Sequence, residues 1–227
     1  NKHSLNILAG MEAKKEFGES LSGYGKGLVI EDLDYRYLDA VTSGQVVGNN
    51  ASEYALVSYF AKANYDYANK YLVSATLRRD ASSRFGMNHN SAIFHSASVG
   101  WRVSSENFME NTQNWLSDLK LRVSYGVNGT LPSSYYGYMG LSSLTSNYND
   151  NPGITQSQLE NKELTWETNY NFNSGIDLGF FDNRLNVTFE YYVRTTKNLL
   201  YSRPLSLATG FSSYLANIGK LQNKGYE

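Results

Sequence analysis

Three histidines, three spaced glycines and one oxygen-rich run are the places where chemistry could begin in this chain of 227 residues. His3, His89 and His95 could offer imidazole to a metal, but no pair of them stands at the short helical or turn spacing that ligands use. They are expected to be solvated or to face a polar lumen. Gly23, Gly25 and Gly27 in Ser-Gly-Tyr-Gly-Lys-Gly imitate a phosphate loop. The spacing is wrong and no strand-to-helix context surrounds them, so a flexible loop is expected. The run Asn147-Tyr148-Asn149-Asp150-Asn151 could hold calcium. It lacks the regular spacing of an EF-hand loop and reads as a polar turn. Cys is absent, which removes thiolate nucleophiles, thiolate metal sites and disulfides together. No Ser-His-Asp arrangement suggests a nucleophile, and no carboxylate pair stands out as an acid and base. The sequence therefore assigns no catalytic residue, no cofactor and no metal.

What could position binding residues is a set of long strands. Residues 119–127 alternate strictly: Leu119, Leu121, Val123, Tyr125 and Val127 share one face. Lys120, Arg122, Ser124, Gly126 and Asn128 share the other, because successive strand side chains point to opposite sides. The same pattern predicts strands at about 3–13, 54–66, 71–80, 92–104, 166–180 and 185–194, and an eighth entering at about 216. Segments of roughly ten alternating residues are long enough to cross a bilayer as tilted strands.

Composition agrees. The chain has 19 Tyr, 19 Gly and only 3 Pro, a balance that favours β structure. A net charge of −1 gives no reason to expect nucleic acid. No run of about 18 apolar residues exists, so no ordinary transmembrane helix is expected, while a transmembrane barrel stays open.

The connections alternate in length. Segments 66–70 and 181–184 are short, 105–117 could hold a helical turn around Phe108 to Trp115, and 14–53, 81–91, 129–165 and 195–215 are long. Short turns on one side and long loops on the other are typical of outer-membrane barrels. Tyr65, Tyr67, Tyr71, Trp101, Phe180 and Phe181 fall near the short-turn end, where amphipathic rings suit a membrane interface. A soluble β-sandwich or propeller also alternates, and a soluble glycan-binding β-protein is therefore an alternative. Strand length and outward faces free of charge favour the membrane. A small closed eight-stranded barrel serving as an anchor is a further alternative. Asn1 is not an initiator and the chain stops at Tyr226-Glu227 as a strand begins, so residues 1–227 are expected to be an internal part of a larger barrel domain.

Several segments carry a family likeness. LVSATLRRDASSRFG, FHSASVGWRVSSENFM and WLSDLKLRVSYGVNG follow one another, then NKELTWETNYNFNSGIDLGFFDNRLNVTFEYYVRTTKNLL and NIGKLQNKGYE. In order and spacing they resemble the SusC/RagA class of TonB-dependent outer-membrane transporters. The resemblance implies an all-β fold, an antiparallel transmembrane β-barrel, of which this chain would supply about eight strands out of about 22 around a plug. The plug, the N-terminal extension and the last barrel strands would lie outside residues 1–227. It further implies a bacterial outer-membrane location, lipid around the wall, energy from TonB through the N-terminal part, and a SusD-like surface lipoprotein. The ligand would be an oligosaccharide or, second, a peptide.

Ligand or lipoprotein contacts would then come from external loops. Tyr24, Tyr35, Tyr37, Tyr135, Tyr136, Tyr138 and Tyr148 stand there among polar residues. Sugar faces pack on aromatic rings while hydroxyls find polar partners; the same rings could instead pack loop on loop.

Overall fold

Extended backbone runs through almost the whole chain in the computed structural model, which describes residues 2–28, 34, 37–149 and 151–227. The strands are β1 (His3–Leu28), β2 (Val41–Tyr67), β3 (Tyr71–Ser82), β4 (Ser91–Arg102), β5 (Leu116–Thr130), β6 (Leu141–Tyr148), β7 (Asn151–Gln158), β8 (Glu167–Phe180), β9 (Leu185–Lys197), β10 (Leu200–Pro204), β11 (Ser213–Asn217) and β12 (Lys220–Tyr226). Eight of them form one sheet in the order β1-β2-β3-β4-β5-β8-β9-β12, and every pairing is antiparallel. Two hairpins, β6-β7 and β10-β11, stand apart from it. β1 and β12 are the two edges, so the sheet is open and the small closed barrel is not what forms.

Register aligns the two faces across the wall. Leu5, Tyr65, Val73, Val99 and Val123 lie in one row through β1 to β5. One residue along, Asn6, Asn64, Ser74, Ser98, Ser124 and Asn173 form a wholly polar row. Because side chains alternate, a one-residue slip would exchange these rows. The apolar row stays uncovered: Leu5 is 62% and Val99 54% exposed. A face of this kind is too large to leave in water and suits lipid. On the polar face charges pair with one another. Arg122 reaches Asp177 at 3.2 Å and Glu190 at 2.9 Å, tying β5, β8 and β9. Arg78 reaches Glu12 at 2.8 Å and Asp80 at 2.6 Å.

The short-turn edge is aromatic. Tyr71 stacks on Trp101 and Trp115 on Phe180, with ring centroids 6.4 and 6.2 Å apart. The expected helical turn between β4 and β5 is a pair of 3-10 turns, Val103–Ser105 and Asn107–Thr112. Glu106, between them, accepts hydrogen bonds from Lys70 Nζ, Tyr71 OH and Trp101 Nε1. These donors lower its pKa from 4.5 to about 2.

Several expectations are corrected. Residues 14–53 do not form a long loop; β1 and β2 run on as a paired hairpin, from Lys14 opposite Leu56 to Leu28 opposite Val41. Polar residues interrupt both faces of this extension, where Lys15 and Glu19 flank Phe17 on one side, so alternation gave no sign of it. The glycine run lies within β1. An added Cβ at Gly25 would collide with Val41 Cγ2, so the close strand approach requires glycine there. Segments 129–165 and 195–215 contain the two separate hairpins. The eighth sheet strand begins at Lys220 because Ser213–Asn217 pairs with β10 instead. The strand expected at about 92–104 ends at Arg102, and Val103 is buried in the turn that follows it. Outward faces are not free of charge: Arg79 stands opposite Tyr59 and Ile93 on the apolar side. His95 is neither lumenal nor free of lipid-side neighbours. It stands opposite Leu77 on that same side, 6.4 Å from the Tyr125 ring. His3 bonds the Tyr65 hydroxyl and His89 faces Glu163 at 3.0 Å. Of the oxygen-rich run, Asp150 lies outside the described residues, and no cluster of His, Asp and Glu that could hold a metal occurs among those described.

Candidate functional site at the external mouth

Beyond the membrane band the wall acquires a buried cluster, at the end away from the short turns. Phe85, Phe94, Val127, Leu164 and Trp166 pack there, with Leu56, Leu131, Tyr138 and Leu215 around them. β4 and β5 part company above Ser96 and Gly126, and these rings fill the gap. Gly129 is required at this point, because a Cβ there would collide with the Phe94 ring. Connection 131–166 is thereby anchored to the wall. Asn161 donates to the Leu215 carbonyl at 2.7 Å, and Asn217 exchanges two hydrogen bonds with the Thr165 backbone. The loop after β5 and the β10-β11 hairpin thus form one layer.

A second anchor is aromatic and cationic. The Arg84 guanidinium lies 3.9 Å from the Tyr54 ring centre and 4.2 Å from that of Tyr135. Its Nη1 donates to the Pro132 carbonyl at 2.9 Å. Lys14 Nζ donates to the Tyr54 hydroxyl at 2.7 Å and pairs with Glu16 at 2.9 Å. The Tyr135 hydroxyl donates to Glu16 at 2.8 Å; the adjacent carboxylate raises the pKa of this phenol. The Glu53 amide donates to the Tyr136 hydroxyl at 2.9 Å.

The seven tyrosines therefore divide. Tyr135, Tyr136 and Tyr138 are brought together and half-buried, fastening the loop to β1, β2 and the buried cluster. Tyr148, 85% exposed at the tip of β6-β7, is the most open of them. Tyr24 lies within β1 rather than in a loop, and Tyr37 flanks the turn Leu38–Ala40; both are exposed. Tyr35 lies outside the described residues. Sequence reasoning missed Arg84, Tyr54 and Glu16. The parity of β2 puts Tyr54 opposite in sense to outward Ala55, so its inward direction was readable. Arg84 sits in a connection where no periodicity operates.

Lower on the inner face, Asn128, Asn169, Asn171, Asn173, Arg194 and Thr196 line a hollow. Asn171 donates to Asn128 at 2.9 Å and Thr196 to Asn169 at 2.7 Å. The arrangement offers neutral donors and acceptors, and nothing in it resembles a nucleophile with its base.

An apolar outer face, an amide-lined inner face and a layered mouth define the wall of an outer-membrane barrel. The family model for the TonB dependent receptor-like β-barrel matches residues 5–227. TonB-dependent receptor P3 of Formosa agariphila is 36% identical over 99% of the chain, which spans 23% of that relative. TonB-dependent receptor SusC of Bacteroides thetaiotaomicron is 35% identical over 78% of the chain, spanning 18% of that protein. The solved RagAB peptide transporter superimposes with a TM-score of 0.89 at 32% identity, covering 99% of this chain and 25% of its counterpart. The chain belongs to the TonB-dependent receptor β-barrel family, of the SusC/RagA type, and its place is the bacterial outer membrane. It spans about a quarter or less of the length of the relatives it matches.

Proposed function

We propose that residues 1–227 are one portion of a barrel of about 22 strands that imports a polar nutrient with energy from TonB. The plug, the segment that engages TonB and the remaining wall would come from the rest of the protein. Family membership supports this reading, and so does the division of the wall into a lipid face and an amide-rich lumenal face. The single observation that carries it is the row Asn6, Asn64, Ser74, Ser98, Ser124 and Asn173 behind a continuous apolar row. Only a water-filled or plugged interior suits such a row. The role proposed is transport rather than catalysis.

The ligand proposed is an oligosaccharide. Neutral amides and exposed Tyr24, Tyr37 and Tyr148, with Tyr35, offer hydroxyl partners and ring faces. A peptide is the second reading, favoured by likeness to the RagAB peptide transporter. A SusD-like lipoprotein is proposed to dock on the mouth formed by 131–166 and β10-β11. Excising residues 142–157 in the full-length protein tests this, because Leu141 and Gln158 already face each other in register. Surface abundance should stay normal while uptake of labelled oligosaccharide, or of labelled peptide, falls several-fold. Normal uptake at normal abundance would show that the hairpin only covers the wall.

A further inference from the structure

The distribution of charge on β8, β9 and β12 is one-sided. Every carboxylate on these strands, Glu167, Asp177 and Glu190, has inward parity. The outward residues of β9 read Leu185, Val187, Phe189, Tyr191, Val193, Thr195 and Lys197. On β12 they read Lys220, Gln222, Lys224 and Tyr226. Lys197 stands directly opposite Lys220, and Lys224 opposite Val193. Two like charges facing each other across strands repel. No ion pair joins any of these three lysines among the described residues, whereas Lys14, Lys15 and Lys70 each have a carboxylate partner. Lys197 Nζ lies over the Tyr170 ring at 4.8 Å, and Gln222, between Lys220 and Lys224, donates to Thr195 at 3.0 Å.

Height places this patch at one boundary of the membrane. From Leu185 at the short-turn end, twelve steps of β9 lead to Lys197. At about 3.4 Å per residue and a tilt near 45° this is roughly 29 Å, just past an apolar band about 25 Å tall. Lys224 lies lower and has the reach to extend its ammonium to the same boundary.

We propose that Lys197, Lys220 and Lys224, with Thr195 and Gln222, form a seat for the phosphate of an outer-leaflet lipid. A bound phosphate relieves the Lys197–Lys220 repulsion and supplies the counter-charge that the outer face of these strands lacks. The apolar residues below it receive the same lipid's chains, so headgroup and tail sites are continuous. The inference rests on membrane location and would survive a different ligand or energy source for the transporter.

The test uses the full-length protein in phosphatidylcholine nanodiscs, titrated with bisphosphorylated lipid A and, separately, with its dephosphorylated form, read by native mass spectrometry. The wild type should retain the phosphorylated lipid preferentially. Lys197→Gln, Lys220→Gln and Lys224→Gln should each reduce that preference by roughly fivefold, and the triple variant should abolish it. The triple Arg variant should keep it. Equal retention of both lipids by the wild type overturns the proposal, and this arm needs no variant to fold. So does an unchanged preference in a folded triple Gln variant, or full displacement of the lipid by millimolar inorganic phosphate.

Discussion

A single step along β5 separates Val123, in the apolar row, from Ser124, in the polar one. Arginine at Val123 would enter lipid and cost about 2–4 kcal/mol near the midplane, whereas a lumenal position tolerates the charge. Val123→Arg in the full-length protein should therefore lower folding stability in bilayers far more than Ser124→Arg. A larger loss for Ser124→Arg would mean the register is inverted, and equal losses would contradict the division into a lipid face and a lumenal face. Glu106 makes a different statement at the same scale. Its folded pKa is below its ordinary value, so its contribution is complete above about 4.5 and is lost as the pH falls toward about 2. Pepsin cleavage within 103–115 should rise across that window in the wild type. In Glu106→Gln it should already be elevated at the upper end and change little, because no carboxylate remains to protonate.

At the scale of elements, the wall and the mouth hold together for different reasons. Strand pairing fixes the wall, while the connection after β5 is held by ring contacts and a few polar bonds. Arg84→Ala removes both cation–ring contacts and the bond to Pro132, each ring contact being worth about 0.5–2 kcal/mol. Proteolysis within 131–140 should increase while the melting of the barrel stays within a few degrees of wild type. A barrel that melts together with the loop would show that the mouth is part of the wall's own cooperative unit. The same division explains what could be read in advance. Inside the membrane, lipid enforces alternation, so β3, β5, β8 and β9 stand out from residue types alone. Above it, β1 continues through Lys14–Leu28 with polar residues on both faces, and no solvent contrast marks the strand. Which partners Tyr135 and Tyr136 take was not readable, because contacts between a loop and a distant strand, here to Glu16 and Glu53, leave no local signature. His95 was placed wrongly because residue type was weighed above parity: it follows Ile93 and precedes Ala97 on the outward side.

In the molecule as a whole, one face of an open eight-stranded sheet meets lipid and the other meets a barrel interior. Its two edges, β1 and β12, carry unpaired backbone groups that further strands must satisfy. The chain contains no Cys, so single cysteines introduced along β5 can be read individually once any others in the full-length protein are removed. The most direct measurement places a spin label at each position from 119 to 127 in the full-length protein in lipid bilayers. Collision with dissolved oxygen, which concentrates in lipid, is then compared with collision with a water-soluble nickel chelate. A period of two is expected, with oxygen accessibility high at 119, 121, 123 and 125 and low at 120, 122, 124 and 126. A profile without that period, or equal chelate access at both sets of positions, would contradict the assignment of this sheet to a membrane wall.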